Sequence, residues 1–172
     1  MSPEASSLIE LTPGQRAIVD AADFESLSQY SWHASWREGC RSFYAFRSGP
    51  GTISMAREVL GLESGDPRQA DHVNFDGLDN RRSNLRIVTR QENCQHRRLR
   101  SDNTFRFKGV SVDGRGRIRA QIWRGSTNLH LGYFIDPTSA AIAYDQAALA
   151  MHGQFAVVNF PIIPAQMLQA AA

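Results

Sequence analysis

Residues 117–124, Arg-Ile-Arg-Ala-Gln-Ile-Trp-Arg, alternate so regularly between apolar and polar that they fit only a half-buried β-strand. Ile118, Ala120 and Ile122 point one way; Arg117, Arg119, Gln121 and Trp123 point the other. Flanking runs at 107–112 and 128–134 read as two further strands, with a tight turn at Asp113-Gly114 and a second turn at Gly125-Ser126-Thr127. The apolar face needs a cover, and the next segment supplies a helix. Asp136-Pro137 reads as its N-cap and first turn, Gly153 as its stop, and Ala140, Ala143, Tyr144, Ala147, Ala148 and Met151 as a stripe of core residues. A three-stranded antiparallel sheet packed on one helix therefore leaves a wet face of Arg, Gln, Trp, Asn and His.

Charge is distributed to match. The chain of 172 residues has a formal net charge of only +2, yet residues 81–124 hold 13 Lys and Arg against 3 Asp and Glu, and the remainder carries a net −8. A solvated face usually mixes signs, so a block this one-sided is the electrostatic footprint of a polyanion binder. Its length suits one ordinary domain or two small ones, and 42% hydrophobic content is ordinary for globular material.

A second constellation lies upstream. Residues 69–74 and 85–88 read as strands joined by an Asp/Asn/Gly/Ser-rich loop, and Thr89-Arg90-Gln91-Glu92 fits a capping box that starts a helix. Asn93 then falls in the first helical turns and faces back toward Asp71. Asp71 and His72 are adjacent, so they serve one site only where the strand ends or bulges. One carboxylate and one amide oxygen suffice for a hard cation that completes its shell with water and phosphate, and a neutral imidazole can take a proton from water. Asn84, at the end of the loop, is suited to bonding loop backbone. Elsewhere the first half is expected to be mixed, with strands at 17–20, 30–36 and 43–48 and helices near 21–29 and 54–60.

At Asp71-His72, Leu78-Asp79-Asn80-Arg81, Asn84-Leu85-Arg86 and Gln91-Glu92-Asn93 the chain resembles the phage-type, intron-associated HNH endonucleases, including homing endonucleases, whose third motif position is Asn. Leu11-Thr12-Pro13-Gly14, Ile18-Val19-Asp20, Tyr30-Ser31-Trp32 and Met55-Ala56-Arg57-Glu58-Val59-Leu60-Gly61 look like the amino-terminal part of that subgroup, with Ala56 where it often has His. The resemblance implies a ββα-metal nuclease module. It makes His72 the general base, Asn84 the structural middle residue of the catalytic motif, and Asp71 and Asn93 ligands to Mg²⁺ or Mn²⁺. Products would carry 5′-phosphate and 3′-hydroxyl ends, and one site per chain favours nicking.

Over residues 106–161 the chain resembles the AP2 (plant ethylene-response-factor type) DNA-binding domain. The resemblance is carried by Lys108-Gly109-Val110, Gly116, Ala120 with Ile122, Leu131-Gly132-Tyr133-Phe134, Ala143-Tyr144-Asp145-Gln146-Ala147-Ala148 and Asn159-Phe160-Pro161. It implies contacts to double-stranded DNA from Lys108, Ser111, Arg115, Gln121, Trp123, Asn128 and His130, with Arg117 and Arg119 on the same face; Asp113, at another matching position, is expected only to make the turn. Ser111, Asp113, Arg115 and Trp123 depart from the plant pattern in type, so docking carries over better than the recognised sequence. A sheet in the major groove pairs Arg with guanine O6/N7 and Gln with adenine N6/N7.

The expected organisation is α+β: a nuclease module at 7–98, a linker at 99–105, an AP2-like domain at 106–161 and a tail at 162–172 that extends as a frayed helix. The leading expectation is a metal-dependent, sequence-directed DNA endonuclease of nicking or homing type. The alternative is a DNA-binding transcriptional regulator with a degenerate nuclease module. An RNA-processing nuclease ranks third, because the A-form major groove admits a sheet poorly. Cys40 and Cys94 are too few for a structural zinc, and the absence of a signal peptide or long apolar run fits a reducing cytoplasm, which the phage-type resemblance implies is that of a bacterial or phage-infected cell. Oligomeric state is left open.

Overall fold

The computed structural model describes residues 5–49 and 51–161; the expected tail helix lies outside them. The chain is mixed α+β and divides into two compact units, Met1–Asn93 and Cys94–Ala172.

The first unit is built on a five-stranded sheet in the order β2-β1-β3-β4-β5, formed by β1 (Ser6–Thr12), β2 (Gln15–Asp20), β3 (Trp32–Arg37), β4 (Ser42–Gly49) and β5 (Gly51–Ser54). β1 and β3 run parallel and the other neighbours antiparallel. The strands expected near 17–20, 30–36 and 43–48 are present as β2, β3 and β4; β1 and β5 were not expected. Two short helices, α1 (Ala21–Ser28) and α2 (Met55–Val59), follow β2 and β5. Ile9, Leu11, Ala17, Val19, Leu27, Trp32, Ala45, Met55, Ala56 and Val59 form the core. Ala56 is thus a packing residue, and its methyl suits a position only 3% exposed. A hairpin of β6 (Gln69–His72) and β7 (Leu85–Val88) leads into α3 (Arg90–Gln95). The capping box is made on both sides: Glu92 N donates to Thr89 Oγ1 at 3.2 Å and Thr89 N to Glu92 Oε2 at 2.7 Å.

The second unit carries the antiparallel sheet β10-β9-β8, from β8 (Val110–Val112), β9 (Ile118–Arg124) and β10 (Thr127–Phe134), and the helix α4 (Pro137–His152). β8 is shorter than the expected 107–112. Arg106 and Gly109 have positive φ, which breaks the extended run, and Asn103 organises it instead, its Oδ1 accepting from Phe105 N and Phe107 N. Gly109 also lies against the Tyr144 ring, where no Cβ fits. Asp136 caps α4 by accepting from Ser139 N at 2.8 Å, Pro137 opens it, and Gly153 ends it at φ +52°.

The buried stripe of α4 is Ala140, Ala141, Tyr144, Ala148 and His152, rotated from the expected one; Ala143, Ala147 and Met151 sit at its margin. The rotation follows from Asp145, which is buried because it anchors the segment that follows α4. Its carboxylate accepts from Asn159 N at 2.8 Å, Asn159 Nδ2 at 2.9 Å and Phe160 N at 3.0 Å. Asn159 also takes Lys108 N at 2.6 Å and donates to Lys108 O at 3.1 Å. The motif residues Tyr144-Asp145 and Asn159-Phe160 are therefore a clasp that closes the unit.

Candidate nucleic-acid interface

The outward face of the second sheet is set by register. Ser111 stands opposite Arg119, Arg119 opposite Tyr133, Gln121 opposite His130, and Trp123 opposite Asn128. Ile118, Ala120, Ile122, Leu129 and Leu131 turn to the helix side, into the two core clusters beneath. Arg117, Trp123, Asn128 and His130 are exposed, Arg119, Gln121 and Ser111 half-buried, and Arg115 sits at the tip of the β8–β9 turn. Between residues 110 and 134 there are four arginines and a single acidic residue, Asp113. That carboxylate makes the turn, as its spacing suggests. It accepts from Arg115 N and Arg117 N and pairs with the Arg117 guanidinium at 2.8 Å; these bonds, the backbone one from Arg117 foremost, hold it down at about 2.

One expectation on this face needs correction, and one residue is added to it. Lys108 does not project from it: Nζ donates to Gln95 O at 3.0 Å and Arg97 O at 2.6 Å, and burial lowers its pKa to about 8. It ties the preceding loop and is not free for phosphate. Conversely, Tyr133 belongs to the face. A bulge between His130 and Gly132 inserts one residue into β10, so Leu131 and Phe134 both pack inward while Tyr133, 48% exposed, turns out beside His130 at 4.7 Å. Arg117 lies over the Tyr133 ring at 3.8 Å and donates to its hydroxyl at 2.8 Å. Strict alternation from Asn128 assigns Tyr133 to the core; the glycine at 132, with φ +137°, is the signal that points to a bulge.

In the first unit, β6 ends at His72, and both Asp71 and His72 are buried. Asp71 is held by Arg86, whose Nε donates to Asp71 Oδ2 at 2.8 Å. His72 Nε2 lies 3.3 Å from Asn80 Oδ1 and its ring meets Tyr44 edge-on; burial pushes its pKa below the ordinary histidine value. Asn84 staples the loop, accepting from Asn74 N at 3.0 Å and donating to Asp79 O at 2.7 Å. Asn93 reaches back across the hairpin, but to Gln69 Oε1 at 2.7 Å. Asp71 is thus ion-paired with Arg86, while Asn93 donates an amide N–H to Gln69; among the described residues no group of three or more His, Cys, Asp or Glu is placed to hold a metal ion.

No family model matches the chain. It is similar to plant proteins: an AP2-like ethylene-responsive transcription factor of Oryza sativa subsp. japonica, 36% identical over 172 residues and 88% of this chain, and another of Arabidopsis thaliana, 36% identical over 100 residues and 53% of this chain. An AP2/ERF and B3 domain-containing protein of Oryza sativa is 43% identical over 61 residues, 36% of this chain. The chain spans 17–26% of the length of these relatives.

The similarity supports the AP2-like part and corrects the nuclease reading. The AP2-like relatives are transcription factors, which are not enzymes, and none of these relatives is an HNH endonuclease. These relatives overturn the expected hydrolase activity, in which His72 is the base and Asn84 the structural middle residue of the catalytic motif. Nor does the expected bacterial or phage-infected cell find a counterpart, since the relatives are plant proteins. Among the described residues no helix is long and apolar enough to cross a membrane.

Proposed function

We propose that the chain is a DNA-binding regulator whose three-stranded sheet lies in the major groove of double-stranded DNA, with Arg117, Arg119, Gln121, Trp123, Asn128, His130 and Tyr133 toward the bases and Ser111 and Arg115 toward the backbone. One observation carries this reading. The polar side chains of three strands collect on the face that α4 leaves uncovered, Arg117 and Arg119 among them with Arg115 at the adjoining turn, against one aspartate that Arg117 neutralises. The description of the relatives as transcription factors supports the same reading.

Binding of fluorescent duplexes from a randomised pool tests it. Replacing Arg117, Arg119 and Gln121 together with Ala should cost most of the ratio between chosen and random duplexes, because each good base pairing is worth about 1–3 kcal/mol of discrimination. The log–log salt slope should fall by about 0.9 for each phosphate that is no longer neutralised. Unchanged affinity, selectivity and salt slope in the triple variant would remove the face from recognition. Scission of plasmid DNA by the pure protein in Mg²⁺ would overturn the regulatory reading.

A further inference from the structure

Gln121 on β9 and Asn128 on β10 are diagonal neighbours, because Gln121 is in register with His130 and Asn128 with Trp123. Asn128 Nδ2 donates to Gln121 Oε1 at 3.1 Å. Both side chains lie on the wet face, Gln121 half-buried and Asn128 exposed. We propose that the two amides act as one composite reader of an adenine base in the major groove, an inference that rests on the DNA-binding reading above.

The argument is one of donor and acceptor accounting. The mutual bond uses one N–H of Asn128 and one lone pair of the Gln121 carbonyl, and leaves the Gln121 amide and the Asn128 carbonyl unused within the pair. The pair presents one donor and one acceptor. Turning both amides over exchanges the partners' roles and still leaves one donor and one acceptor, with their places exchanged, so an adenine is matched in either case and only the direction in which it is read depends on which atom is nitrogen. In the major groove adenine offers the complement, an acceptor at N7 and a donor at N6, whereas guanine offers two acceptors and would oppose the free carbonyl. A single glutamine can make this bidentate contact alone, but it must freeze its own rotamers to do so. Here the cross-strand bond orders both side chains before DNA arrives, which lowers the entropic cost of binding. Trp123, 56% exposed and directly opposite Asn128, adds an apolar surface at the same level for the methyl group of the thymine paired with that adenine.

The test uses the full chain and synthetic duplexes. Selection from a randomised duplex pool should return one position fixed as adenine. Replacing that base with 7-deazaadenine, which lacks N7, should weaken binding by about 5- to 150-fold, and should have no effect on Gln121→Ala. Gln121→Ala and Asn128→Ala should each relax that position, and the double variant should relax it no further than either single one, because each already breaks the unit. Both positions lie away from the core, so the variants should melt with the parent. A selective protein that tolerates 7-deazaadenine everywhere, or whose two variants add, overturns the composite reader and leaves the DNA-binding reading standing. A protein that binds no duplex overturns the DNA-binding reading itself.

Discussion

Asn159 is the residue on which the second unit closes, and its removal has a calculable cost. Asn159→Ala deletes three side-chain bonds: one from Lys108 N, one to Lys108 O and one to Asp145 Oδ1. Two are neutral, worth about 0.5–1.5 kcal/mol each, and the third ends on a carboxylate, worth about 1.5–3 kcal/mol. Their sum is about 2.5–6 kcal/mol, and because the site is half-buried, water recovers part of it, leaving an expected loss of about 2–4 kcal/mol. Asn159→Asp should be worse at neutral pH, since it sets a second carboxylate against Asp145 and loses the donor. The assay is urea unfolding followed by peptide-resolved hydrogen exchange over residues 108–122, which reports the second unit separately from the first. A loss under about 0.5 kcal/mol for Asn159→Ala, below the lower bound for even one of these bonds, would show that the clasp is ornamental and that packing of Phe107 on Phe160 holds the end.

Gly109→Ala should destabilise the same unit by about 2–5 kcal/mol, combining a left-handed φ with a methyl driven into the buried Tyr144 ring, and the urea midpoint measures it. Stability should rise from pH 8 toward pH 10: Lys108 titrates at about 8 when folded against 10.5 when free, so the unfolded chain binds more protons there. It should fall again from pH 10 to 12, where Tyr144, raised to about 12 by burial from 10, keeps its proton in the folded state. Lys108→Met should abolish the rise and keep the fall, as read by thermal melts across that range; an unaltered rise would mean that Lys108 does not carry it.

The second unit was legible where local chemistry decides structure. Asp136-Pro137 and Gly153 mark the ends of α4, and the alternation of 118–124 fixes both faces of β9. What escaped was tertiary. Alanine is small enough for either side of a helix, so composition alone could not tell Ala141 from Ala143; the demand of Asp145 for backbone donors from the chain end sets the rotation. In the first unit the strand, loop, strand and helix around Asp71–Asn93 were also legible, and Thr89 with Glu92 made the cap. The chemistry assigned to them was not. Spacing brings Asp71 and Asn93 to one hairpin, but it is silent on Arg86, two residues from Asn84 in sequence and directly opposite Asp71 in register, which neutralises that carboxylate. β1 was missed although Ile9 and Leu11 alternate inward, because the run is broken early by Pro13-Gly14 and its partners are supplied by β2 and β3.

The bulge in β10 also bears on the open edge of the second sheet. β10 is an edge strand of eight residues, long enough that without a break it would offer a second strand a continuous row of amides and carbonyls. The extra residue between His130 and Gly132 breaks the repeat of that row and twists the strand where a flat template would otherwise persist. A chain lacking Leu131 would keep Tyr133 opposite Arg119 and facing out, because the register on either side of the bulge is unchanged, but it would lose the break in the edge. It would present an unbroken strand edge flanked by exposed aromatic rings, and solubility would fail before recognition did.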